Sequence, residues 1–146
     1  MRKLRSLYLL LRWKFLGGNK LFDEYAKRRN TVVSMFLAVR EDEMEPWVMD
    51  GKWSWNALNG VAYPITLVFP ERPLVVHVLG PEIGDWDKRK RFCYDKKSWE
   101  LANQIVSNTI IILKELHIPF IIIGWDEPVS EESIRLKLKE IENGRI

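Results

Sequence analysis

The chain has 146 residues, 47% hydrophobic and 29% charged, which is long enough for one domain with a real core and too apolar for a disordered segment. The single cysteine, Cys93, excludes an intrachain disulfide and a cysteine-based zinc site, and a reducing, cytoplasmic setting is expected. The net charge of +3 hides an asymmetry: residues 1–30 carry nine Lys/Arg against Asp23 and Glu24, net +7, and residues 31–146 carry 14 against 18, net −4.

The opening "MRKLRSLYLLLRWKFLGG" is not read as a secretory signal. Its apolar run Leu7–Leu11 is short, Arg12 and Lys14 interrupt it, and no small-residue cleavage site follows. No stretch approaches the ~20 apolar residues of a membrane span. Leu4, Leu7, Tyr8, Leu11 and Phe15 instead fall at helical spacing beside Arg2, Arg5 and Arg12, and Gly17-Gly18 stops that helix. A second helix is expected from Lys20 to about Val39, with "AKRRN" (Ala26–Asn30) interrupting its apolar face as a candidate break. "REDEMEP" (Arg40–Pro46) reads as an acidic connector. Residues 1–40 thus form a basic helical region and 41–146 the core of a single globular unit.

The period then changes from helix to strand. Asp50-Gly51 and Asn59-Gly60 are hairpin-turn dipeptides, and "KWSWNAL" between them alternates. "VAYPITLVF" (61–69) and "LVVHVLG" (74–80) flank a Pro-Glu-Arg-Pro turn, and Pro64 argues for an edge or a bulge. Pro81–Lys97 has no periodicity and reads as a loop. Ser98 caps a helix over 98–116, whose stripe of Trp99, Ala102, Val106, Ile110, Leu113 and Leu116, widened by Ile105, Ile111 and Ile112, predicts deep burial. His117 suits carbonyl capping at its end. "FIIIG" (Phe120–Gly124) has the pattern of a central strand covered on both faces. Ser130 caps the last helix, Val129 staples onto Ile134, and Asn143-Gly144 closes it.

The predicted fold class is α/β, in the broad α+β sense. A mixed sheet combines an antiparallel hairpin meander with a βαβ unit, in which the strand at 74–79 and that at 119–124 are parallel neighbours. Helices pack on this sheet.

The elements "YPITLVFPERPLVVHVLG", "PEIGDWDKRKRFCYDKK", a helix ending "LKELHIP", "FIIIGWDE" and "SEESIRLKLKEI" follow one another over Trp53 to Ile141. This order resembles the PD-(D/E)XK, or restriction-endonuclease-like, superfamily, and most of all the very-short-patch-repair endonucleases and their small relatives. The resemblance implies a hairpin whose carboxylates hold a divalent cation: an Asp on the first strand, then Glu-x-Asp or Glu-x-Lys on the second. Aligned on Gly80, those places hold Thr66, His77 and Leu79. Hard cations need anionic oxygens, so the resemblance implies a degenerate site with no metal and no cofactor.

Chemistry could instead have moved to "PEIGDWDK", which offers Glu82, Asp85, Asp87 and Lys88; the plainer reading is a charged surface loop. His77 reads as a packed, hydrogen-bonded histidine. Asp126-Glu127 follows a strand, where α/β proteins place ligands, but also precedes a helix start. Cys93 has basic neighbours in Lys90, Arg91, Lys96 and Lys97, without the spacing of a nucleophile and its base. Trp47, Trp53 and Trp55 are read as core packing before base stacking.

These readings lead to a nuclease-like fold without catalysis that binds nucleic acid or partner subunits. Its basic contact residues are Arg2, Arg5, Arg12 and Lys14, then Lys27, Arg28 and Arg29, then Lys88, Arg89, Lys90 and Arg91. Two alternatives stand beside it. One is a structural subunit of a larger complex, including a virion or other mobile-element assembly. The other is an active metal-dependent endonuclease with a migrated acidic site.

Overall fold

The computed structural model describes residues 18–49, 65–93 and 95–143. The elements are α1 (Gly18–Arg40), β1 (Trp47–Met49), β2 (Ile65–Phe69), β3 (Leu74–Val78), α2 (Trp86–Arg89), a 3-10 turn (Lys90–Phe92), α3 (Lys96–Glu115), β4 (Phe120–Ile123) and α4 (Glu131–Glu142). The expected helix before Gly17, the "KWSWNAL" strand, Pro64, Trp53 and Trp55 lie outside the described residues. So do Arg2, Arg5, Arg12 and Lys14.

The four strands form one mixed sheet in the order β1-β2-β3-β4. β2 and β3 make the expected antiparallel hairpin, with Thr66 opposite His77 and Phe69 opposite Leu74. β4 lies parallel to β3, with Val75 beside Phe120 and Val78 beside Ile123. The sheet is therefore α/β in its β3-α3-β4 unit and antiparallel elsewhere, as the sequence predicts. β4 is not central, however: among the described strands it is an edge. Its wholly apolar sequence reflects cover on both faces, and the two conditions differ. Lys137 Nζ lies 3.4 Å from the Ile122 carbonyl at that edge.

Alternation along the strands sorts the two faces. Ile65, Leu67, Phe69, Leu74, Val76, Val78, Ile121 and Ile123 share one buried cluster with Tyr25, Val32 and Phe36 of α1 and Ile134 of α4. α1 is thus part of this core. Phe36 stacks on Phe69 with ring centroids 5.5 Å apart. Thr66, Val68, Val75 and His77 point to the other face. α3, the crossover between two parallel neighbours, runs over that second face and buries Ala102, Val106 and Leu113.

α1 is continuous, with no break at Ala26–Asn30. The interruption of its apolar face has another cause. Arg28 turns inward and donates from Nη2 to the carbonyls of Gly124 at 2.5 Å and Glu127 at 2.6 Å. At its C-terminal end, Arg40 donates to the Arg72 carbonyl at 2.5 Å, and Arg72 donates back to the Arg40 carbonyl and to Asp42. This ties the helix to the β2–β3 turn.

Several local expectations are corrected. The N-cap of α3 is Asp95, whose carboxylate accepts from the Ser98 amide at 2.7 Å, so Ser98 is the capped residue and not the cap. The segment 81–97 is not a plain loop but contains α2 and the 3-10 turn. Leu116 does not belong to the buried stripe of α3, and Ile111 and Ile112 do not widen it; they are 63%, 53% and 53% exposed. His117 does not cap with its side chain. It takes φ +56°, and the backbone closes α3: His117 N–H bonds Lys114 O at 3.1 Å and Ile118 N–H bonds Leu113 O at 3.0 Å. Trp47 is not in the core but 62% exposed on β1, which is an edge among the described strands. The last helix starts as expected, with reciprocal bonds between Ser130 and Ser133, a buried Ile134 and a packed Val129. Among the described residues no helix is long and apolar enough to cross a membrane.

Candidate functional site

β3 and β4 both end on the same edge of the molecule, beside the start of β2, and the side chains of interest gather there. Thr66 and His77 are opposed residues of the hairpin, and Thr66 Oγ1 sits 3.0 Å from His77 Nδ1. His77 is buried and its Nε2 has no hydrogen-bond partner. Burial pulls its pKa below the ordinary imidazole value, so the ring is neutral near pH 7. Leu79 continues the parallel ladder, its amide bonding Ile123 O at 2.9 Å. Thr66, His77 and Leu79 therefore lie together on the hairpin. None of them supplies an anionic oxygen.

The loop that follows departs from expectation. Glu82 is not a surface acid but 3% exposed, and neither carboxylate oxygen has a hydrogen-bond partner. Burial pushes its pKa up to about 8, with its own backbone amide and the Arg89 charge opposing the rise. That amide lies near the carboxylate without making a well-formed hydrogen bond. At neutral pH Glu82 is a neutral carboxylic acid. Asp85, Asp87 and Lys88 are exposed. Burial separates Glu82 from the two Asp residues, and among the described residues no three His, Cys, Asp or Glu side chains group as a metal site.

Two side chains of α3 hold this loop. Asn103 Oδ1 accepts from the Gly84 amide at 3.0 Å while its Nδ2 donates to Glu82 O at 3.2 Å. Trp99 Nε1 donates to Gly84 O at 2.9 Å, and its ring lies 5.6 Å from that of Trp86. Arg89 forms an ion pair with Asp126 at 2.5 Å, which joins α2 to the segment after β4. Glu127 accepts from the Gly124 amide at 2.9 Å and pairs with Lys137 at 2.7 Å, so both acids after β4 have structural partners. From α1, the Tyr25 hydroxyl donates to Val78 O and accepts from the Ile65 amide at 3.0 Å. Its ring packs edge-on against Trp125 at 5.8 Å.

The basic residues divide into two groups. Arg28 and Arg89 have their guanidinium groups engaged inside the fold. Arg29 is half-buried, with Nε 3.3 Å from Asn30 Oδ1. Lys27, Lys88, Lys90 and Arg91 are exposed, as are Lys96 and Lys97 in the first turn of α3. Arg91 lies over the Phe92 ring at 4.6 Å. Cys93 is buried, and its thiol donates to Arg89 O at 3.5 Å. Sequence reasoning does not reach the roles of Tyr25, Trp99 and Asn103. Nothing in the sequence separation of Tyr25 from Val78, or of Asn103 from Gly84, announces these pairs.

A scan of family models and searches of curated proteins and of solved structures return no match.

Proposed function

We propose that this chain is a nuclease-like fold that has lost catalysis and binds nucleic acid through phosphate contacts. The observation that carries this reading is the exposed cationic run on the segment after the hairpin. Lys88, Lys90, Arg91, Lys96 and Lys97 face solvent within ten residues, next to the end of the sheet where this kind of fold meets its substrate. Loss of catalysis is supported by the identities of Thr66, His77 and Leu79. It is supported again by Glu82, which as a buried neutral acid offers a cation no charge. Binding would be sequence-tolerant, driven by counterion release.

The test is duplex binding across a salt series. Replacing Lys88, Lys90 and Arg91 together by Ala should weaken binding and flatten the log–log salt slope, by roughly 0.9 for each phosphate of duplex DNA that is no longer neutralised. An unchanged affinity and slope would overturn the assignment of this surface. The same preparations, incubated with magnesium, should leave single- and double-stranded DNA and RNA uncut. Cleavage that disappears on Asp85→Ala or Asp87→Ala would establish an active, migrated site instead.

A second reading, a structural subunit, has its own observation. Trp47 and Met49 are each 62% exposed on β1, an edge among the described strands, and Leu116 is 63% exposed just past α3. Large apolar side chains left open in this way suit a partner subunit. Unchanged binding in the triple variant, together with a stable oligomer of the chain, would favour this reading.

A further inference from the structure

The segment between β3 and α2 carries a contradiction that protonation resolves. The Glu82 side chain is 3% exposed and both its oxygens lack partners, so a carboxylate there would be an uncompensated buried charge. Among the described residues, one charged side chain acts on that carboxyl: Arg89 of α2, which is itself paired with Asp126 of the β4–α4 connection. α3 presents only the uncharged Asn103 and Trp99 to this loop, and both bind its backbone, not the carboxyl. Behind the carboxyl is Gly80, where even a methyl group would overlap Oε2. The pocket therefore holds the acid tightly, and the Arg89 charge, already paired with Asp126, offsets only part of the cost of ionising it there. The loop's ties to α3 are three hydrogen bonds, two of them at the solvent-exposed Gly84.

We propose that residues 80–85 form a proton-gated latch, closed on the end of the sheet while Glu82 is protonated and released when it ionises. The direction follows from linkage. Glu82 has its ordinary value of 4.5 when the loop is open and about 8 when it is closed. Below pH 4.5 both forms hold the proton and the closed form is fully favoured. Between 4.5 and 8 the open form loses the proton first, so the closed form loses ground about tenfold per pH unit. Above 8 the loss is complete. Acidification closes the latch and alkalinity opens it. Lys88, Lys90 and Arg91 follow the latch directly in the chain. Any effect on nucleic-acid contact rests on the function proposed above; the latch does not.

Hydrogen exchange of the full chain, without nucleic acid, tests it. The reporter is the Gly84 amide, which bonds Asn103 in the closed form. After correction for the intrinsic exchange rate, its protection should fall about tenfold per unit between pH 5 and 8, while amides of the β2–β3 ladder keep theirs. In Glu82→Gln the Gly84 protection should be independent of pH, and Glu82→Met, which fills the same space without a titrating group, should behave alike. The proposal is overturned if wild-type protection at Gly84 does not vary with pH, if Glu82→Gln keeps the wild-type dependence, or if the ladder amides fall in step with Gly84.

Discussion

Tyr25→Phe is expected to lower the stability of the fold by about 2–5 kcal/mol, far more than the loss of one hydroxyl from a protein surface. The hydroxyl joins a donor and an acceptor on directly opposed residues of the hairpin, Ile65 N–H and Val78 C=O. Tyr25 is 2% exposed, and Ile65 and Val78 are 5% and 0% exposed, so water does not replace it. Each backbone group left unsatisfied in such a place costs roughly 1–3 kcal/mol. The aromatic ring, its packing on Trp125 and the helix position are all kept by Phe, which isolates the hydroxyl as the cause. Denaturant titration of the two proteins at one pH measures the difference as a shift in midpoint with unchanged slope. A shift worth less than about 0.5 kcal/mol, within the range of neutral surface substitutions, would mean that Ile65 and Val78 rejoin directly when the hydroxyl is gone.

The same hydroxyl shows why some of this molecule is legible in its sequence and some is not. The β2–β3 hairpin is legible because its signals are local: a Pro-Glu-Arg-Pro turn between two runs of apolar, β-branched residues. The parallel placement of β4 follows from an intervening helix of sufficient length, and the start of α4 from Ser130 and Val129. Each of these depends on residues a few positions apart. The corrected features depend on distance or on context. β1 is three residues long and exposed throughout, so it has no alternation to read. Asp95 and Ser98 are both able to cap, and only the backbone geometry decides which one does. Ile111, Ile112 and Leu116 are as apolar as the buried Leu113, and composition alone does not say which side of α3 meets the sheet.

Glu82 is the most instructive miss in the candidate site. Asp85, Asp87 and Lys88 follow it, and their company makes the whole stretch look solvated. A weaker signal points the other way: Gly80-Pro81 precedes Glu82 and Ile83 follows it, directly after a buried strand. Thr66, His77 and Leu79 are placed on the hairpin by the sequence pattern and lie there in the structure. Arg28 and Arg89 group with the contact cations by sequence because charge alone does not reveal an inward turn. Their partners, the Gly124 and Glu127 carbonyls and Asp126, lie far along the chain.

Gly80→Ala should cost about 1–3 kcal/mol, the range for overpacking a filled site, and Glu82→Ala in the same chain should remove most of that cost. The glycine is not there for backbone freedom: among the described glycines only Gly84 has a positive φ. It is there for space. An alanine Cβ would overlap Oε2 of Glu82 and stand 2.8 Å from Oε1 and 3.0 Å from Cδ. An exposed glutamate would swing clear of such a clash at little cost. One that is 3% exposed has no room to do so without opening the loop. A double-mutant cycle should therefore show a coupling of roughly 1–3 kcal/mol between the two positions. Gly84→Ala provides the contrast. Its φ of +136° strains any side chain, and its Cβ would meet Arg89 Nε at 3.2 Å, so its cost should persist in the Glu82→Ala background. If Gly80→Ala costs the same with or without the Glu82 side chain, the close approach between glycine and buried acid is not what selects the glycine, and the tight pocket on which the latch depends is lost with it.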